Sequence, residues 1–272
     1  MYTIADMHTH SENSHDSKCK IEDMMKSQIT KGTNIFAVTD HFDTYSYNDY
    51  DIFTPIKCAY DTVAELNAKY GDKCKILSGL EISEAFWFPE EYKKIKDSLD
   101  FDVVIGSVHC MHNEYHFGSF VKLDYSPLPQ GAIDKIVDQY LEDILTMIDF
   151  MDFDILAHIT YPLRYIVARD KRQIDLQNFN RKVDLIFDEI IKRNIALEIN
   201  TSSFDRLSDF MPSTDMIKRY YEKGGRLITL GSDAHVAERA SIDFDKAVAT
   251  LKEIGFDGIY YYEKRNPVKI HI

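Results

Sequence analysis

Leu227-Ile228-Thr229-Leu230-Gly231-Ser232-Asp233-Ala234-His235 joins a short, almost continuously apolar run to an acid and an imidazole two residues apart. The run reads as a strand covered on both faces. Residues i and i+2 of an extended chain point the same way, so Asp233 and His235 aim at one centre if the strand stays extended. The same construction recurs upstream. Tyr2–His8 closes in Asp6-Met7-His8-Thr9-His10, with His15 in the following loop. Ile35–Asp40 closes in Asp40-His41, Lys75–Ile82 carries Glu81, Asp102–His109 ends on His109, and Asp154–Ile159 holds His158. Ala196–Asn200 is a further run of this kind.

Longer amphipathic segments separate these runs. Ile56, Tyr60, Val63 and Leu66 line one side of a segment that opens at Thr54-Pro55, a capping residue and a first-turn proline, and stops at Gly71. A second helix is predicted from about Asn178 to Arg193, with Val183, Ile186, Phe187, Ile190 and Ile191 at helical spacing. Two more are predicted from Ser213 to Gly224-Gly225 and from Ser241 to Gly255, each with a serine cap and a glycine stop. Gly258–Tyr262 reads as one further strand, leaving the strand count open by one.

Strand–helix alternation repeated about seven times implies an α/β fold with a parallel sheet, either open or closed. The polar strand ends decide between them. Nine potential metal ligands (His8, His10, His15, His41, Glu81, His109, His158, Asp233 and His235) lie at or just after the downstream ends of six runs. An open sheet would spread them along a wide edge, whereas a closed barrel delivers every strand's C-terminal end to one place. Seven of the ten histidines belong to this set, and so many buried imidazoles need partners. A metal site in a barrel answers both requirements.

Composition narrows the function. The chain has 272 residues, 44% of them hydrophobic, which is enough for one large core. A net charge of -13 disfavours a phosphate-backbone binder, so nucleic acid is not an expected partner. No stretch approaches the roughly 20 apolar residues of a membrane span. The most apolar helical window, Ile144 to Phe153, is broken by Asp149 and Asp152, and Met1–His10 has no signal-peptide pattern. Cys19, Cys58, Cys74 and Cys110 form no CxxC pair, which suits free thiols and a cytoplasmic location.

The motifs Asp6–Ser11 (DxHxHS), Thr39–Phe42 (TDHF), Gly79–Glu81 (GLE), Gly106–His109 (GSVH), Ala157-His158 (AH) and Gly231–His235 (GSDAH) together resemble the polymerase-and-histidinol-phosphatase (PHP) superfamily, in its histidinol-phosphate phosphatase type. The resemblance spans essentially the whole chain and implies a single metal-dependent phosphoesterase domain over residues 1–272, built as a distorted (β/α)7 TIM-like barrel. It also implies up to three divalent metal ions. His8, His10, Glu81 and Asp233 would hold the first. Glu81 would bridge to a second completed by His109 and His158, and His15, His41 and His235 would hold the third. Mostly imidazole ligation suits Zn, Fe or Mn. Three such ions outweigh two ligand carboxylates, Glu81 and Asp233, so the site attracts a phosphate dianion. A hydroxide bridging two metals about 3.5–4 Å apart would attack phosphorus in line.

The implied reaction is hydrolysis of L-histidinol phosphate to L-histidinol and phosphate, a step of histidine biosynthesis. Arg164, six residues beyond His158, and Arg206, six beyond Asn200, are the arginines best placed to clamp the phosphate. Ser83, two past Glu81, is a further donor. For the leaving group, the loop after strand 4 offers Glu114 as cation partner, with His112, His116 and Phe117, and the loop after strand 3 offers Phe86 and Trp87. Asp40 either orients a ligand or assists leaving-group protonation. The same ligands would serve a PHP phosphoesterase acting on a phosphotyrosine peptide, nucleotide or sugar phosphate. An amidohydrolase fits less well, because His109 stands where its strand-4 bridge would be. A non-catalytic metal-stabilised module fits less well too, because no ligand is missing.

Overall fold

A computed structural model describes residues 4–46, 51–114 and 117–272. Its core is a parallel sheet in the order β1 (Ala5–Asp6), β2 (Ile35–Val38), β4 (Lys75–Ser83), β5 (Val103–Ser107), β8 (Ile155–Leu156), β9 (Ala196–Asn200) and β10 (Ile228–Gly231). The short β3 (His41–Asp43) pairs β4 in the register that β2 leaves off, so β2 and β3 are one stave interrupted at Thr39-Asp40. Main-chain bonds from Met7 N to Leu230 O (2.8 Å) and from Asp233 N to His8 O (2.8 Å) join the first strand to the last. The sheet is thereby nearly closed, as the polar strand ends required, into the seven-staved barrel that the family resemblance implied.

Helices α1 (Ile21–Thr30), α2 (Phe53–Tyr70), α3 (Pro89–Lys96), α4 (Gln130–Phe150), α5 (Asn180–Arg193), α6 (Phe204–Leu207), α7 (Thr214–Glu222) and α8 (Phe244–Ile254) fill the connections. α5 buries Val183, Ile186, Phe187 and Ile190, the stripe its spacing required. At Gly255 the chain turns left-handed (φ 115°), a conformation glycine reaches without a Cβ penalty, and α8 ends there. No helix among the described residues is long and apolar enough to cross a membrane.

Two helix starts differ from the sequence reading. α2 begins at Phe53, and Asp51 rather than Thr54 accepts its free amides, from Phe53 N (3.0 Å) and Thr54 N (3.1 Å). α8 begins at Phe244, because Ser241 is drawn away to Asp6 and Gln28. The strand after Gly258 belongs to no barrel stave. β11 (Gly258–Glu263) forms an antiparallel hairpin with β12 (Asn266–His271). It is fastened by Lys75–Glu263 (2.7 Å), by Arg265 N to Asp102 O (2.8 Å) and by the Arg265–Asp154 pair. These anchors all lie at the upstream ends of staves, so the hairpin covers the end of the barrel opposite the polar strand ends.

Candidate active site

The downstream strand ends converge on Glu81. This carboxylate sits near the end of β4, is 1% exposed, and divides its two oxygens between two sets of imidazoles. Oε2 faces His8 Nε2 (3.3 Å), His10 Nε2 (3.6 Å) and His41 Nδ1 (2.9 Å). Oε1 faces His109 Nε2 (3.2 Å) and His158 Nε2 (3.0 Å), which are 3.4 Å from each other. Asp233 approaches from β10. Its Oδ1 lies 3.4 Å from His10 Nε2 and 3.6 Å from His235 Nδ1, and its Oδ2 lies 3.2 Å from Arg164. Among the described residues, four sets of donors are close enough to hold an ion: His8/His10/Asp233, His8/Glu81/His158, His41/Glu81/His109 and His10/His41/His235.

Burial alone would raise the Glu81 carboxyl, but His8, His109 and His41 hold it well below its usual range. His10 is lowered to about 3 by burial and by His235 and His41, so its ring is neutral and one ring nitrogen keeps a lone pair. Nε2 of His8, His10 and His235, Nδ1 of His41 and Oε2 of Glu81 are buried without a hydrogen-bond partner among the described residues. Several approach a carboxylate closely without hydrogen-bond geometry. Unpaired buried polar atoms are costly, and their convergence on one volume is what a divalent-cation site requires. The donor set fits a metal.

Eight of the nine expected ligands appear in these groups; His15 does not. It lies on the cavity wall, 42% exposed, with Nδ1 3.6 Å from Asp43 Oδ2. Its neighbour Asp16, equally exposed, is the residue that reaches the histidines, 3.0 Å from His235 Nε2 and 3.6 Å from His41 Nε2. Asp233 also departs from the extended geometry expected of it. Its φ is 50°, and β10 ends at Gly231, so a left-handed turn rather than strand alternation aims Asp233 and His235 at the centre. His158 is left-handed as well (φ 22°), and backbone strain of this kind persists where surrounding contacts hold it.

A cavity of about 340 Å³ opens over the cluster, lined by Tyr45, Ser119, Val121, Tyr161, Arg164 and Tyr165 besides the polar cluster. Arg164 begins a π-helical turn (Arg164–Arg169), donates through Nε to Ser203 Oγ (2.8 Å) and through Nη2 to Ser202 and Asp233, and lies over the Tyr161 ring at 5.3 Å.

The other expected contacts fall elsewhere. Arg206 is exposed on α6, outside the cavity wall, while the preceding Ser202 and Ser203 are the residues of that loop that meet Arg164. Ser83 is buried and donates to Asp43 Oδ1 (2.7 Å). Glu114 is 65% exposed and pairs with Lys135 (3.2 Å). Phe86 packs edge-on against Trp87, which meets His112 in the same way, away from the cavity. His116 lies outside the described residues. Ser119 and Val121 arrive instead through an unforeseen hairpin, β6 (Cys110–His112) with β7 (Phe117–Ser119).

Asp40 does not reach the cavity. Its carboxylate accepts from Ser11 N (2.6 Å), Ser11 Oγ (2.7 Å) and Ser14 Oγ (2.7 Å), and Ser14 in turn meets His10 Nδ1 (3.2 Å). Proton delivery to a leaving group is thus closed to it. Sequence reasoning passed over Asp16, Asp43 and Glu198. Asp43 meets His109 Nδ1 (3.4 Å). The available signal for Glu198 was an acid and Asn200 at i and i+2 in an otherwise apolar run, the pattern used for the other staves.

Residues 6–202 match the PHP domain family. The chain belongs to the PHP domain family. Across 96% of its length this PHP chain is 28% identical to a probable histidinol-phosphatase of Clostridium acetobutylicum, covering 98% of that protein. It is 29% identical to the histidinol-phosphatase of Lactococcus lactis subsp. lactis, over 92% of this chain and 91% of that one. The crystal structure of histidinol phosphate phosphatase from Lactococcus lactis, complexed with Zn, L-histidinol and phosphate, superposes with a TM-score of 0.79 and 26% identity, covering 98% of this chain and 99% of that chain.

Proposed function

We propose that this PHP chain is a metal-dependent phosphomonoesterase that hydrolyses L-histidinol phosphate to L-histidinol and phosphate. The observation that carries the reading is the division of Glu81, with Oε2 toward His8, His10 and His41 and Oε1 toward His109 and His158. One carboxylate so placed would serve two cations. His8, His10 and Asp233 would complete the first site, and His109 and His158 the second. His41 and His235, with Asp16 beside them, would form the third. Zn, Fe and Mn all suit this donor set. Bound divalent cations supply Lewis-acid activation of water and of the phosphate oxygens.

The chain's own residues do the rest. Arg164, held by Ser202, Ser203 and Asp233, presents a fixed cation beside the centre and binds the phosphate. Tyr161 packs against the rings of His109 (5.1 Å) and His158 (4.9 Å), excluding water from that side. Tyr45, Tyr161 and Tyr165 offer flat walls for an imidazole leaving group, and a cavity of about 340 Å³ is the size of a small-molecule site. Asp40 acts through Ser14 to orient His10. The four cysteines are unpaired, which supports a reducing, cytoplasmic setting.

The test is phosphate release by the Zn-loaded protein from histidinol phosphate, a phosphotyrosine peptide, nucleotides and sugar phosphates. A kcat/KM for histidinol phosphate several orders above the others is expected. A flat profile would leave the phosphoesterase chemistry and overturn the substrate.

A further inference from the structure

Glu198 lies in the middle of β9, is 0% exposed, and touches two different parts of the candidate metal centre. Its Oε1 lies 2.7 Å from His8 Nδ1. Its Oε2 accepts the main-chain N–H of His158 at 2.7 Å and the Asn200 side-chain amide at 3.2 Å. A carboxylate can only accept here, so His8 carries its proton on Nδ1 and turns Nε2 inward, toward Glu81. The second bond fixes the amide of a residue whose φ is 22°, a conformation histidine adopts only under constraint. One carboxylate therefore sets the ring orientation of His8 and the backbone from which His158 projects.

The neighbouring stave is built around it. A Cβ placed on Gly231 of β10 would sit 2.0 Å from Glu198 Oε1 and 2.8 Å from His8 Cβ. Glycine at 231 leaves the volume that the carboxylate occupies.

We infer that Glu198 is a positioning residue for the metal centre, aligning His8 and His158, ligands on opposite sides of Glu81, with Gly231 providing its space. It touches neither substrate nor reacting atoms. Outer carboxylates behind metal-bound histidines typically contribute about 10–100-fold to metal affinity or activity. E198Q keeps the size and the acceptor toward His8, but its amide faces the His158 N–H donor to donor. G231A crowds both the carboxylate and His8 Cβ without changing any charge, so E198Q is the variant that decides the role of Glu198.

The inference rests on the metal reading, and one experiment separates the two. Zn2+ affinity of the full chain is measured by chelator competition for wild type, E198Q and G231A, alongside kcat, KM and the far-ultraviolet spectrum of the metal-free proteins. Both variants are expected to bind Zn2+ about 10–100-fold more weakly, with KM for the phosphate ester within about twofold of wild type and unchanged metal-free spectra. Wild type that fails to bind Zn2+ would refute the metal reading itself. Wild-type binding with equal affinity in E198Q would overturn the role of Glu198 alone. A metal-free E198Q that loses the wild-type spectrum would make Glu198 a folding element and overturn it likewise.

Discussion

Replacing Arg164 with methionine removes the only Arg or Lys side chain on the cavity wall among the described residues while keeping an unbranched side chain over Tyr161. In the wild type the guanidinium is fixed by Ser203, Ser202 and Asp233 before substrate arrives, so little ordering remains to be done on binding. A phosphate dianion bound there would accept a hydrogen bond between charged groups, with a contribution of about 1.5–3 kcal/mol. At 1.4 kcal/mol per factor of ten, R164M should lower kcat/KM about 10–150-fold. Asp233 keeps Ser202 (3.3 Å) and Asn200 (3.5 Å) as donors, so the folded state should survive. R164K separates charge from shape, since a lysine ammonium lacks the planar fork, and should recover only part of the loss. The assay is steady-state phosphate release with inorganic phosphate as competing inhibitor. A kcat/KM for R164M within threefold of wild type, with unchanged phosphate inhibition, would refute the placement of the substrate phosphate.

Arg206, exposed on α6, should behave differently, with R206A leaving KM within about twofold in the same assay; a tenfold rise would bring the residue back to the pocket. H10A should abolish turnover without unfolding the chain, read by phosphate release and circular dichroism, because His10 joins two of the four donor groups. Asp143 on α4 is 6% exposed, with Oδ1 bonded to Gln139 (2.8 Å) and Oδ2 without a partner among the described residues, and burial pushes its carboxyl up to about 6. The folded state then binds the proton more tightly than the unfolded chain, so this contribution is full below about pH 4 and is lost as pH rises through 6. D143N should remove that loss and stabilise the protein by about 1–3 kcal/mol at pH 7 but not at pH 4; equal Tm values for the two proteins at pH 7 would contradict it.

The barrel was legible because its staves are short apolar runs and each ends in a residue that has no place in an apolar core. His8, Glu81, His109 and His158 announce themselves in this way, and only closure brings them together. What was not legible depends on where loops travel. Arg164 and Arg206 stand six residues beyond His158 and Asn200 respectively, yet a π-helical turn carries Arg164 inward while α6 leaves Arg206 in solvent. Ser241 looked like a helix cap because its competing partners, Asp6 and Gln28, are more than two hundred residues away in the chain. Asp16 sits in a loop, where acids are ordinarily solvated, and Asp43 closes the short β3 beyond the apolar run, so only the fold shows them against His235 and His109. Glu198 was hidden by its own burial, since its partners belong to the first and fifth staves.

The most direct test of the account is anomalous diffraction from crystals of the full chain loaded with Zn2+. Strong peaks are expected on both sides of Glu81, one among His8, His10 and Asp233 and one beside His109 and His158, with a third near His41 and His235. A map with no peak within coordination distance of Glu81 would contradict it.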